Sequence, residues 1–115
     1  MTRSAIIALG MILALGACTS RLDDQSSLYN QLRDQDVRLA ASTLQRSLKQ
    51  GWNGETLSWR NAATGATGSI TPTRTILTSD GSYCRDYDES IVVGGRSGRW
   101  RNTACRDERG NWIWV

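Results

Sequence analysis

Residues 84–105, CRDYDESIVVGGRSGRWRNTAC, constrain the fold more than any other stretch. Two strand-like runs flank Gly94-Gly95, a pair suited to the positive backbone angles of a tight hairpin turn. A cysteine stands near the far end of each run. With the glycines as central turn residues, Val93 faces Arg96, and counting outward brings Cys84 opposite Cys105. By alternation that pair falls at a non-hydrogen-bonded position, where Cα atoms approach to roughly 4.5 Å, near the lower limit for a disulfide. The same register sets Asp88 against Arg101, a favourable pair, and Glu89 against Trp100, a poor one. A looser turn over 94–98, or a bulge, would shift the register while keeping the two runs paired. On a chain-entropy argument, closing such a loop stabilises the fold by about 3 kcal/mol. A domain this small can gain much of its margin from such a staple.

Cysteine counting carries the argument to the N-terminus. The chain has three cysteines, an awkward number for an exported protein. Arg3 supplies a positive start, and residues 5–15 form a small-and-apolar run. That run is too short for a comfortable membrane span and suits the core of a signal peptide. It ends in Leu15-Gly16-Ala17-Cys18, which resembles the lipobox of bacterial lipoproteins, whose cysteine is acylated and becomes the first mature residue. Residues 1–17 then read as a lipoprotein signal peptide and Cys18 as the lipidation site, carrying palmitate-type chains. Thr19 follows Cys18 where aspartate would signal retention, so the usual sorting rule implies delivery to the outer membrane. Acyl chains anchor at about 0.8 kcal/mol per buried methylene. Cys84 and Cys105 are left as a pair in an oxidising compartment.

Residues 18–35, polar and rich in Asp, Gln and Ser, read as lipid anchor and tether, with Leu28 and Leu32 placed to extend the helical pattern that follows. Over 36–51 the texture changes. Val37, Ala40, Ala41, Leu44 and Leu48 recur at helical spacing, Asp34 or Asp36 is placed to cap the start, and Gly51 to end it. Such a helix cannot stand alone in water, so its apolar stripe must dock, either on the following domain or on a partner. Residues 52–115 read as β. Strands are expected over 56–61, 69–79, 82–93, 99–106 and 112–115, with turns between them at 62–68, Asp80-Gly81, 94–98 and 109–111. Pro72 demotes part of the second to an edge or a strand start. The expected fold class is mainly β with one N-terminal helix (α+β), a small antiparallel meander stapled by Cys84–Cys105.

The chemistry on offer is narrow. There is no histidine, which removes the commonest general base and metal ligand. The net charge of +3 is spread among interspersed signs, so no block is built for nucleic acid, and no cofactor or metal is expected. Arg96, Arg99, Trp100, Arg101 and Trp114 make a candidate binding surface for anionic headgroups or polysaccharide, against the plainer reading of a solvated strand face balanced by neighbouring acids. Trp59 and Trp112 are assigned to the core, since a domain without phenylalanine must fill its interior with tryptophan. Asp86, Asp88 and Glu89 are near enough to suggest paired glycosidase carboxylates, but nothing else in the chain shapes a cleft, and no enzyme is expected.

A family comes into view once these residues are set in order. Trp59 with Asn61, then TGATGSITP, CRDY, IVVGG, ACR and GNW resemble the C-terminal domain of the rickettsial 17-kDa surface antigen family. The resemblance implies an outer-membrane lipoprotein with a structural or surface-antigen role, lipid-anchored through Cys18, facing the surface or the periplasm. It implies no catalytic residues. The alternative is an accessory module that binds an envelope assembly complex or envelope polysaccharide. Many relatives carry a glycine-zipper segment before the domain, and here that position holds the charged helix.

Overall fold

The computed structural model describes residues 25–115; the expected signal peptide and the expected lipidation site, Cys18, lie outside them. Two helices, α1 (Gln25–Tyr29) and α2 (Asp34–Gln50), precede five strands: β1 (Leu57–Arg60), β2 (Thr67–Leu77), β3 (Tyr83–Val93), β4 (Arg96–Arg106) and β5 (Trp112–Trp114). The strands form one antiparallel sheet in the order β1-β2-β3-β4-β5, a pure meander.

The central hairpin takes the tight register. Gly94 and Gly95 have φ of 58° and 77°, the signs a two-residue turn requires. Val93 pairs with Arg96, Asp88 with Arg101, Glu89 with Trp100 and Cys84 with Cys105. The cysteines are disulfide-bonded with their Cα atoms 3.9 Å apart, on the side of the sheet away from α2. Arg101 Nε lies 2.8 Å from Asp88 Oδ1.

Pro72 is buried within β2 rather than at its start. Two features accommodate it. A register shift falls between Pro72 and Arg74, and β1 reaches only to Leu57, opposite Ile70. Among the described residues no strand therefore flanks Pro72 on that side, and its missing N–H costs no ladder bond. Its carbonyl instead accepts from Gly54 N–H at 2.7 Å.

The helices cover one face of the sheet. Leu48 packs with Ile70, Tyr87, Ala104 and Trp112, while Ala40 packs with Trp59, Ala66 and Ile91. Trp59 and Trp112 are thus core. Trp59 needs a neighbour without a side chain: its indole lies where a Cβ on Gly68, the residue paired with it, would sit.

The buried face of α2 differs from the apolar stripe. Ala40, Leu48 and the half-buried Leu44 face the sheet, but Val37 and Ala41 are exposed, and Asp36, Thr43 and Ser47 are buried in their place. The helix is rotated because Asp36 and Gln45 find partners on the sheet side, and that rotation carries Thr43 and Ser47 inward with them, Ser47 Oγ being buried without a hydrogen bond. Packed structure also starts earlier than residue 36. Gln25–Tyr29, within the stretch read as tether, is helical, and Leu28, placed in sequence to extend the helical pattern, is fully buried.

Candidate functional site

Three polar contacts fix α2 on the sheet and so set the shape of everything beneath it. At its N-terminus, the Asp36 carboxylate accepts from Arg33 N–H at 2.9 Å, Asn61 Nδ2 at 2.7 Å and Thr64 Oγ1 at 2.7 Å. Burial pushes this carboxyl up, but the three hydrogen bonds outweigh it and hold the group below the usual carboxylate range. Midway, Gln45 imitates a peptide group toward the edge strand: its Nε2 donates to Trp112 O at 2.7 Å and its Oε1 accepts from Trp112 N–H at 2.9 Å. At the C-terminus, the buried Arg85 guanidinium donates to Leu48 O at 2.8 Å, Gly51 O at 3.0 Å and Asn53 Oδ1 at 2.8 Å. A cation there also meets the negative end of the helix dipole.

Where α1 and α2 meet the sheet they leave a cleft of about 600 Å³, lined by Tyr29, Asn30, Leu44, Tyr87, Glu89 and Trp114 together with Gln25 and Ser26. Glu89 is 4% exposed. Its Oε2 accepts from Tyr29 Oη at 2.7 Å and its Oε1 from Trp100 Nε1 at 3.2 Å. The cross-strand pairing of Glu89 with Trp100 that looks poor in sequence is therefore a satisfied one, because the indole N–H supplies a donor. Burial pushes the Glu89 carboxyl above its ordinary value, and the two hydrogen bonds recover only part of that. Tyr87, buried and near that carboxylate, is pushed up to about 12.

Strand alternation divides the candidate surface residues. Arg99 and Arg101 stand exposed on the face away from the helices. Trp100, between them in sequence, turns to the helical side, where its ring lies 6.2 Å from Tyr29. Arg96 is half-buried and donates to Ser27 Oγ at 3.0 Å. Trp114 is 59% exposed at the mouth of the cleft. The five thus contribute to two opposite faces. The same alternation separates the three acids: Asp86 and Asp88 point away from Glu89, with Asp86 meeting Thr103 Oγ1 at 2.6 Å and Arg74 Nε at 3.2 Å.

Tyr29 and Glu89 are the residues that sequence reasoning passed over as a pair. The signal for Glu89 was available, since the hairpin register puts it on the face of Tyr87 and Ile91. Nothing local announced Tyr29, which meets it from sixty residues away. Among the described residues, no group of three or more His, Cys, Asp or Glu side chains is placed to hold a metal ion. No helix among them is long and apolar enough to cross a membrane.

These features define a class: a small helix-on-meander module, disulfide-closed, whose motif residues lock the helix to the sheet. Of the motif residues, Asn61 and Thr64 receive Asp36, Arg85 closes the end of α2, and Trp112 takes Gln45. The chain belongs to the 17 kDa outer membrane surface antigen family, whose sequence profile matches residues 46–113. It is similar to the 17 kDa surface antigens of Rickettsia conorii and Rickettsia rickettsii, each 40% identical over 79 residues, which is 69% of this chain and 50% of the relative. The 17 kDa surface antigen of Rickettsia prowazekii is 38% identical over the same length. The chain therefore spans about half the length of the curated relatives it matches. No solved structure matches it.

Proposed function

We propose that this protein is an outer-membrane lipoprotein with a structural or surface-antigen role at the cell envelope, anchored by acyl chains on Cys18 and without enzymatic activity. The observation that carries the reading is membership of a surface-antigen family over residues 46–113, in a domain closed by a disulfide. A disulfide of this kind belongs to an oxidising compartment. The non-enzymatic part rests on how the motif residues are used. They are engaged in packing and hydrogen bonds between helix and sheet, and the three acids nearest to one another in sequence are split across the sheet.

In this reading the anchor supplies the membrane attachment. Fractionation of cells expressing Cys18→Ser tests this. The variant should move from the membrane to the soluble fraction and lose incorporation of labelled palmitate. Continued membrane attachment with no acyl label would overturn the anchor. A second reading, an accessory module for an envelope protein or polysaccharide, is favoured by the cleft with Trp114 exposed at its mouth. A stoichiometric partner recovered from detergent-solubilised membranes and lost on Trp114→Ala would select it over the passive role.

A further inference from the structure

The Glu89 carboxylate poses a physical problem. It is almost wholly buried, yet among the described residues its contacts are two neutral donors, Tyr29 Oη and Trp100 Nε1, and no ion pair reaches it. Three arginines of its own hairpin are engaged elsewhere: Arg101 with Asp88 across the open face, Arg85 with the end of α2 and Arg96 with Ser27. A buried anion without a counter-ion is costly, and apolar replacement would be the cheaper solution for a purely structural position. Each carboxylate oxygen retains acceptor capacity beyond the one bond it accepts, and Glu89 is among the residues that line the cleft.

The cleft itself has the shape and lining of a small-ligand site. About 600 Å³ lies within the usual range for such sites. Tyr29 and Tyr87 lie beside the acid, and Trp114, Leu44 and Asn30 line the same cleft. Aromatic faces attract cations through their quadrupoles, and more strongly where water is excluded. An anion is disfavoured by Glu89. A neutral sugar would leave its charge uncompensated.

We infer that the cleft between α1, α2 and the sheet is a binding site for a small organic ammonium ion, with Glu89 as counter-ion and Tyr29, Tyr87 and Trp114 as its aromatic walls. The ammonium sits over the carboxylate, and its organic stem lies against Leu44 and the indole of Trp114. The source is either a soluble amine or the ammonium headgroup of a phospholipid, since both present the same chemistry. The inference does not depend on acylation of Cys18.

The test uses the otherwise full chain carrying Cys18→Ser and a ligand-observed NMR titration with phenethylammonium, against 2-phenylethanol as a neutral comparison. The site predicts saturable binding of the ammonium, at least about tenfold tighter than the alcohol. Glu89→Gln should abolish that preference. Trp114→Ala, at an exposed position that leaves the core intact, should weaken phenethylammonium by about tenfold and keeps the test alive if the Glu89 variant does not fold. Competition by phosphatidylethanolamine vesicles, but not phosphatidylglycerol vesicles, assigns a lipid source. No competition assigns a soluble amine, and both results uphold the site. Equal affinity for amine and alcohol, no saturable binding, or full ammonium binding by Trp114→Ala overturns it.

Discussion

Gly68→Ala is the sharpest probe of how the sheet is packed under the helix. A Cβ added at Gly68 would lie 2.4 Å from Trp59 Nε1, 2.6 Å from Cε2 and 2.8 Å from Cζ2. Non-bonded carbon atoms rest at about 3.5–4.0 Å, so the indole would have to withdraw by about an ångström. Trp59 has little room to do so, being 5% exposed and packed among Ala40, Ala66 and Ile91. Overpacking of this kind costs about 1–3 kcal/mol. Alanine's better backbone entropy in a strand returns about 0.5–1 kcal/mol. At mid-range the net expectation is a loss of about 1 kcal/mol, and up to about 2.5 kcal/mol if the clash is felt in full. If the ring is expelled altogether, the loss rises toward the roughly 3–5 kcal/mol of deleting a buried aromatic. Urea unfolding followed by near-ultraviolet circular dichroism reads this directly. A double-mutant cycle isolates the clash, because in a Trp59→Leu background the added methyl should cost at least about 1 kcal/mol less. Stability unchanged by Gly68→Ala, or equal costs in both backgrounds, would refute the packing argument.

Other consequences follow from the same geometry. Cys105→Ala opens the loop between residues 21 apart in sequence and should cost about 3 kcal/mol, read as a shift in urea midpoint that reduction reproduces in the parent but not in the variant. Asp36→Ala takes the near acceptor from the Asn61 amide and the Thr64 hydroxyl, and the acceptor of the N-cap Arg33 N–H at the start of α2, for a loss on the order of 3 kcal/mol by the same assay. Stability should also depend on pH in a signed way. The folded-state pKa of Glu89 is raised above its ordinary 4.5, so protonating it favours the fold. Its contribution is fully present below 4.5 and is lost as pH rises through the folded value. Asp36 is held below its ordinary 3.8, so its contribution is present above that pH and lost as the carboxyl protonates below it. The urea midpoint should therefore climb as pH is lowered from neutral toward 4.5 and fall below 3.8. Glu89→Gln should remove the climb and leave the acid loss; a variant that still climbs would contradict the assignment.

The hairpin was readable because two adjacent glycines, two cysteines and strict alternation over-determine one register. Once Val93 faces Arg96, every pair out to Cys84 and Cys105 is arithmetic. The rotation of α2 was not readable for the converse reason. A hydrophobic stripe counts Asp36, Thr43 and Ser47 as solvent-facing. What turns Asp36 inward is a pair of donors on the loop after β1, about 25 residues away in sequence. Gln45 likewise looks like surface until the backbone of Trp112 lies beside it. The Arg and Trp residues of the last third are close in sequence, but neighbours in a strand point to opposite faces. The register that paired the cysteines already implied their division.

Acylation of Cys18 and pairing of Cys84 with Cys105 are both tested at once by intact-mass spectrometry of the protein purified from membranes. A mature chain beginning at an acylated Cys18, with no thiol available to alkylation until reduction, is the expected result. An unacylated N-terminus, or free thiols at Cys84 and Cys105 before reduction, would contradict it.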